Sequence, residues 1–371
     1  MAEYRVCRRC VMDTSAPNIH FDAEGHCNFC SEYLQRMAVG GGFFERKQAA
    51  LPAFIAQIKQ DGIGRDYDCV VGLSGGVDST YALHLVKEQG LRPLAVHLDN
   101  GWNSELAVRN IENIVRKLDV DLYTHVIEWK ENRDLQRAFF EANVVDIELL
   151  MDNAMQALNY QQAKRWGVKY ILAGSNHATE GIKLPAGWNH FKHDRQNIKA
   201  IHQRYGKRPI RTHLLIGTFD FIRYRFWHKI DWVPFLDYFD YNKQQAQQIL
   251  VEKFNYNPYP YKHYESVFTR FYQGYILPTK FGIDKRRVHL STLICAGQLS
   301  REAALAKLEE SPYPDPDLLA DDREFVLKKL GFTEAWFEQW LRTPGVPHLA
   351  YPSEKQRYLA LINLKQKLQR R

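Results

Sequence analysis

The stretch DYDCVVGLSGGVDST, residues 66–80, runs an apolar segment into two glycines and then a carboxylate. Its first part reads as a buried strand, and DSTYALHLVKEQG behind it as a helix stopped by Gly90. A strand, a glycine turn and a helix start together make a phosphate cradle. Gly75 and Gly76 let the backbone come close, the helix start near Asp78 aims unpaired N–H groups at an anion, and Ser74 and Ser79 add hydroxyls. The turn lacks the Gly-x4-Gly-Lys spacing of an ordinary nucleotide-triphosphatase loop. Asp78 would also repel phosphate, and a Mg²⁺ ion between the two removes the conflict. The plainer reading makes Asp78 a helix N-terminal acid favoured by the dipole.

The alternation continues on both sides. RPLAVHL (92–98), DLYTHVIE (121–128) and VKYILAG (168–174) read as further strands, separated by helices at 105–118, near 132–142 and at 149–166. Strands alternating with helices of ten or more residues predict βαβ units and an α/β fold with a parallel sheet. Right-handed crossovers then bring residues 74–79, 99–104 and 174–180 to one sheet edge and one cleft. Beyond about 185 the alternation fades into a basic, aromatic stretch and a mostly helical end. The expected organisation is residues 1–45 as a metal module, 46–185 as the nucleotide domain, and 186–371 as a substrate-binding and helical region.

At 371 residues, 45% hydrophobic and 25% charged, the composition is that of a globular protein with a sizeable core. No apolar run reaches the roughly 18 residues of a membrane span, and the first residues lack a signal-peptide pattern, so a cytoplasmic protein is expected. The formal charge of +7 suits an anionic ligand without choosing among nucleotide, phosphate and nucleic acid.

CRRC (7–10) and CNFC (27–30) place Cys7, Cys10, Cys27 and Cys30 as two Cys-x2-Cys pairs sixteen residues apart. Two adjacent turns presenting two thiolates each make a closed tetrahedral zinc site, structural because no ligand position stays open. Two disulfides are the alternative, which a reducing cytoplasm disfavours. His20 and His26 lie nearby and read as turn residues.

LSGGVDST after a buried strand resembles the pyrophosphate loop of the PP-loop ATP pyrophosphatase superfamily, whose HUP-like (adenine nucleotide alpha hydrolase-like) sheet carries helices on both faces. Its members cut ATP between the α and β phosphates and adenylate a carbonyl oxygen. The resemblance implies that Leu73, Ser74, Gly75, Gly76, Val77, Asp78 and Ser79 hold ATP and its departing pyrophosphate with Mg²⁺. His97, Asp99 and Asn100 in HLDNGW would lie by the adenosine, and Gly174, Ser175 and Asn176 in AGSNHATE would reach the nucleotide and the activated substrate. With CRRCVMDTSAPNIHFDAEGHCNFC before it and KHYESVFTRFYQGYILPTKFGIDKRRVHLSTLICAGQLSREAAL after it, the chain from residue 5 to about 307 is similar to a narrower family. These are the N-acetyl sugar amidotransferases of bacterial surface-glycan biosynthesis (lipopolysaccharide O-antigen, pseudaminic and legionaminic acid types). They turn the acetamido group of a nucleotide-linked sugar into an acetamidino group.

The family reading makes Lys280, Lys285, Arg286 and Arg287 an anion clamp, where a solvated basic face is the alternative. It also makes Lys262, His263 and Glu265 acid–base groups or a substrate anchor. Tyr256, Tyr259, Tyr261 and Tyr264 either stack on a base or sugar ring or pack a second domain. A glutaminase needs an activated cysteine. Cys69 lies within a strand and Cys295 lacks a nucleophile elbow, so no glutaminase is expected within this chain. The family resemblance implies a separate glutaminase subunit and a cyclase-like companion that conducts ammonia. The rivals are a tRNA-modifying PP-loop enzyme, of thiolation or lysidine type, and a non-catalytic zinc-ribbon module on a degenerate nucleotide fold.

Overall fold

The computed structural model describes residues 3–39, 42–259, 264–313 and 315–361. A parallel sheet forms from β1 (Cys69–Gly72), β2 (Pro93–Asp99), β3 (Leu122–Val126), β4 (Tyr170–Ala173) and β5 (Asp231–Pro234) in the order β3-β2-β1-β4-β5. Cys69, Val70 and Val71 of the central strand have no exposed surface, as a strand covered on both faces requires. The edge strand β3 alternates exposed and half-buried residues instead. The strand order reverses between β1 and β4, so the ligand crevice of such a sheet falls between the loops that leave those two strands.

Ahead of the sheet come α1 (Asn28–Ala38) and α2 (Phe43–Asp61). The crossovers are α3 (Val77–Glu88), α4 (Glu105–Leu118), and the pair α5 (Trp129–Glu141) and α6 (Leu149–Arg165). β4 leads into α7 (His177–Glu180), α8 (Arg195–Tyr205) and α9 (Thr218–Ile222) before β5, and α10 (Lys243–Phe254) returns to the sheet. The remainder is helical: α11 (Val267–Phe271), α12 (Leu277–Phe281), α13 (Arg286–Cys295), α14 (Arg301–Glu309), α15 (Pro316–Leu330) and α16 (Glu334–Arg342). The start of α4 is set by Ser104, whose side chain accepts from the Ala107 N–H, and that of α14 by Ser300, which accepts from Ala303.

Ile58, Leu83, Ile111 and Leu250 cover one face of the sheet from α2, α3, α4 and α10, while Leu158, Tyr160 and Ala163 of α6 cover the other. A further core gathers Phe139 and Phe140 of α5, Phe271 of α11, and Phe337 and Trp340 of α16. Each such side chain contributes about 1.5–3 kcal/mol on burial, which fixes the helical end against the nucleotide domain.

The sheet extends past the boundary expected at residue 185, because β5 pairs in parallel with β4 from Tyr170–Asp231 to Ala173–Pro234. This strand is four residues long, half-buried and ended by a proline, so it offers no periodic pattern to read.

Candidate functional site

The loops leaving β1 and β4 touch. A Cβ on Gly174 would lie 2.6 Å from both Asp78 C and Ser79 N, so only glycine lets the end of β4 reach the first turn of α3. Gly75 has φ +84°, and a side chain there would meet the Ala107 carbonyl at 2.9 Å. Gly76 has room by contrast, with Ser74 Oγ 3.4 Å and Glu265 Oε1 3.7 Å from its would-be Cβ. Within the turn, Ser79 Oγ accepts from the Ser74 N–H at 3.2 Å and Ser74 Oγ from the Gly76 N–H at 3.3 Å.

Several residues brace this turn. His97 Nδ1 donates to the Leu73 carbonyl at 2.8 Å, and Asn103 Nδ2 donates to His97 Nε2 at 2.9 Å. The ring is thus a neutral tautomer, and burial lowers its pKa further. Tyr256 and Tyr259 both donate to the Gly75 carbonyl, at 3.2 and 3.1 Å. Burial raises both phenols, which stay protonated donors. These two tyrosines hold the loop through their hydroxyls, a role that neither ring stacking nor domain packing anticipated. Tyr264 packs instead against Arg270 and Tyr313.

Tyr241 was not legible as a site residue, yet its hydroxyl donates to Asp78 Oδ1. Burial and then the Asp78 charge push its pKa up, and Glu180 acts on it in the same direction. Asp78 therefore meets a protonated phenol beside the glycine turn, and the Glu180 charge acts on that phenol from further away. Glu180 closes AGSNHATE and so stood within a segment already singled out. In that same segment Asn176 caps α7 by accepting from the Thr179 N–H at 2.8 Å. The backbone and ring of His177 are both held by Asp237, at 2.7 Å each.

Glu265 joins the site, since its carbonyl accepts from the Ser104 N–H at 2.9 Å and Ser266 forms a β-bridge with Asn103. The same segment therefore lies against both the β1 loop and the loop after β2. In that second loop Asp99 Oδ1 accepts from the Gly101 N–H at 2.8 Å and Asn100 Oδ1 from the Trp102 N–H at 3.0 Å. Lys329 of α15 donates to the Gly101 carbonyl and lies 4.7 Å from the centre of the Trp102 ring, so the helical end also grips the β2 loop. Lys262, His263 and Tyr261 lie outside the described residues.

The basic run does not gather into the expected clamp. Lys280 donates to the Trp340 and Thr343 carbonyls at the end of α16, and burial lowers its pKa to about 8. Lys285 pairs with Glu148 at 3.2 Å, and Arg286 with Asp284 at 2.8 Å while also donating to the Glu310 carbonyl. Arg287 reaches the other way, to Asp13 at 3.0 Å and the Val11 carbonyl at 2.9 Å. Lys280 lies on α12, Lys285 ahead of α13 and Arg286 and Arg287 in its first turn, and each cation is taken up by different partners.

Cys7, Cys10, Cys27 and Cys30 are buried, with ligand atoms all within 4.8 Å of one another. The sulfurs of Cys7 and Cys30 are 3.8 Å apart, and those of Cys10 and Cys27, and of Cys27 and Cys30, 3.6 Å. A tetrahedron with metal–sulfur bonds of about 2.3 Å has edges of about 3.8 Å, whereas a disulfide needs about 2.05 Å. The cluster thus fits a metal ion such as zinc and excludes the disulfide alternative. Arg301 holds it to the helical end by donating to the Cys7 carbonyl at 2.9 Å and the Cys10 carbonyl at 3.2 Å. Of the other cysteines, Cys69 is fully buried, which raises its thiol pKa, and Cys295 interacts with Cys30. They do not form the pair that sulfur transfer would use.

Residues 67–141 match the family described as the tRNA methyl transferase HUP domain, and residues 265–368 match the LPS biosynthesis protein WbpG-like C-terminal domain. The chain joins a PP-loop/HUP domain to a WbpG-like C-terminal domain. An uncharacterized protein of Methanocaldococcus jannaschii is 29% identical over 161 residues, 43% of this chain and 53% of that protein. The tRNA(Ile)-lysidine synthase of Chlamydia pneumoniae is 37% identical over 71 residues, 18% of this chain and 22% of that protein. The chain thus spans about half the length of the first relative and about a fifth of the second. Among solved structures, the NH3-dependent NAD synthetase of Campylobacter jejuni aligns with 14% identity over 56% of this chain and 83% of its own, at a TM-score of 0.29. The NMN synthetase of Francisella tularensis aligns with 16% identity over 62% of this chain and 98% of its own, at 0.26. At these scores neither likeness bears on the activity. No described helix is long and apolar enough to cross a membrane.

Proposed function

We propose that the protein is an ATP-dependent amidotransferase that converts the acetamido group of a nucleotide-linked sugar into an acetamidino group, releasing AMP and pyrophosphate. The observation that carries this reading is the position of Glu265. It opens the WbpG-like match and stands against Gly76 of the glycine turn, so the nucleotide loop and the sugar-pathway domain share one cleft. In this reading the turn from Ser74 to Ser79 binds the departing pyrophosphate. Asp78 would hold Mg²⁺, which neutralises the phosphates when bound. The cysteine cluster would hold a structural zinc ion.

An amide oxygen is a poor leaving group, and AMP on that oxygen is a good one. The carbonyl oxygen attacks the α phosphorus and the bond to the β-phosphate oxygen breaks. Ammonia then adds to the carbon, and AMP departs with the C–O electron pair. Because water competes with ammonia, the cleft must be enclosed. A separate glutaminase subunit and a cyclase-like conduit would supply the ammonia.

Mass spectrometry tests the reading. Incubation with ATP, Mg²⁺, ammonium and UDP- or CMP-linked N-acetyl sugars should yield a product about 1 Da lighter and carrying a base stronger than a lysine amine. If no AMP forms with any of these sugars, the proposal fails. The lysidine synthase match over 71 residues favours a second reading, a tRNA-modifying enzyme. Tight binding of bulk tRNA with a steep salt dependence would support that one instead.

A further inference from the structure

Beside the glycine turn, where α1 meets the loop after β4, lies a cavity of about 270 Å³ lined by Arg36, Ser175, Asn176, His177, Glu180 and Lys183. It is smaller than the roughly 300–1,000 Å³ of clefts that take a whole drug-sized ligand. It suits one part of a larger molecule whose remainder lies along the cleft.

The cavity is chemically equipped. Arg36 donates through Nη2 to the Gly181 carbonyl at 2.6 Å, yet its buried Nε has no partner among the described residues. Arg36 lines the cavity with a guanidinium, a planar donor group suited to phosphate or carboxylate. Lys183 adds a second cation, in a long 3.8 Å pair with the exposed Glu32. His177 supplies the reactive group. Its Nδ1 and its backbone N–H are both bound by Asp237, which is 1% exposed, so the ring is locked and Nε2 is the nitrogen left for chemistry. Phe43 lies against the ring at 4.9 Å, and Tyr33 of α1 donates to the His177 carbonyl at 3.1 Å. Two helices outside the sheet therefore fix this histidine. The charged groups around it are Asp237, Glu180, Arg36 and Lys183.

We infer that this cavity is the acceptor-sugar site, in which Arg36 takes an anionic group of the nucleotide sugar and His177 moves the proton of the incoming ammonia. The anionic group is a phosphate or a sugar carboxylate. This rests on the amidotransferase reading. Ammonia adds to the adenylated carbon as an N–C bond forms, leaving a positively charged –NH3 group on a tetrahedral adduct. His177 Nε2 accepts one of its protons. The C–O bond then breaks, AMP leaves with the electron pair, and the amidinium remains. The imidazolium returns its proton to solvent. Asp237 is the positioning residue that holds the proton of the neutral ring on Nδ1 and fixes the direction of Nε2.

The test is carbethoxylation of the full-length protein by diethylpyrocarbonate, followed at His177 by peptide mass spectrometry. The competitors are ATP, UDP, and UDP- or CMP-linked N-acetyl sugars with and without a sugar carboxylate. The sugar nucleotides should slow modification at least tenfold. Protection by UDP alone would identify phosphate as the bound anion, and protection only by acidic sugars would identify the carboxylate. His177→Gln should bind ATP normally but release AMP at least 100-fold more slowly. Asp237→Asn should lower kcat for AMP release while leaving the sugar-nucleotide KM and the melting temperature nearly unchanged, a split that a merely structural role would not give. Equal modification with every sugar nucleotide, or a full rate in His177→Gln, overturns the assignment. If amidine forms without protection, this site is wrong and the reaction stands. Protection without amidine keeps the site and removes the reaction.

Discussion

Alanine at two glycines separates packing from phosphate binding. At Gly174 the added Cβ would stand 2.6 Å from Asp78 C and Ser79 N, both backbone atoms that no side-chain rotation can move away. Relief to an ordinary contact of about 3.5 Å demands a shift near 1 Å between the β4 loop and the glycine turn, and such overpacking costs about 1–3 kcal/mol. At about 2–4 °C per kcal/mol for a domain of this class, Gly174→Ala should unfold several degrees earlier. A 1 Å misplacement should also slow AMP formation on the order of 100-fold. Gly76→Ala makes only a 3.4 Å contact with Ser74 Oγ, so the fold should tolerate it. Its methyl group would nevertheless fill space that the proposed site gives to phosphate. The paired expectation is two variants that both lose ATP binding by calorimetry, of which only Gly174→Ala also loses thermal stability. If Gly174→Ala binds ATP and melts like the wild type, the contact between the two loops is not what shapes the site.

Lys280→Ala should lower the melting temperature while leaving ATP affinity unchanged, because the ammonium caps α16 instead of facing phosphate; a selective loss of ATP binding would contradict that placement. Arg301→Ala removes the donors to Cys7 and Cys10, each worth about 1.5–3 kcal/mol, so zinc should pass to a colorimetric chelator roughly tenfold or more faster. As-purified wild-type protein without bound zinc would refute the metal assignment. His213 and His348 are held by burial at about 4 and about 3. Both titrate near 6.5 when unfolded, so the unfolded chain binds more protons below that pH, and the stability present at pH 7 is lost as pH falls toward 4. Each should cost about 2 kcal/mol between pH 7 and pH 5. Urea midpoints at the two pH values measure this, and equal midpoints would show that neither histidine is buried neutral.

The first four strands were legible because buried apolar runs alternate with helices, and periodicity reports burial directly. The cysteine cluster was legible from spacing alone. Tyr241 was hidden for the opposite reason, as it reaches Asp78 from 163 positions away, in a segment without period. The basic run misled in the same manner. Sequence proximity put Lys280, Lys285, Arg286 and Arg287 together, while the break between α12 and α13 separates Lys280 from the rest and the helix turns Arg286 and Arg287 toward different neighbours. His177 and Asp237 share no motif, and only the approach of α7 to the turn after β5 joins them.

The docking of the cysteine cluster by Arg287 and Arg301 has a temporal consequence. Those residues are translated more than 250 positions after the cysteines they secure. A ribosome-bound chain can gather its four thiols early, but it acquires their seat only once the helical half has emerged. Metal delivered before that moment would rest in a loosely held knuckle, exposed to competing chelators until the segment around residue 301 has left the ribosome.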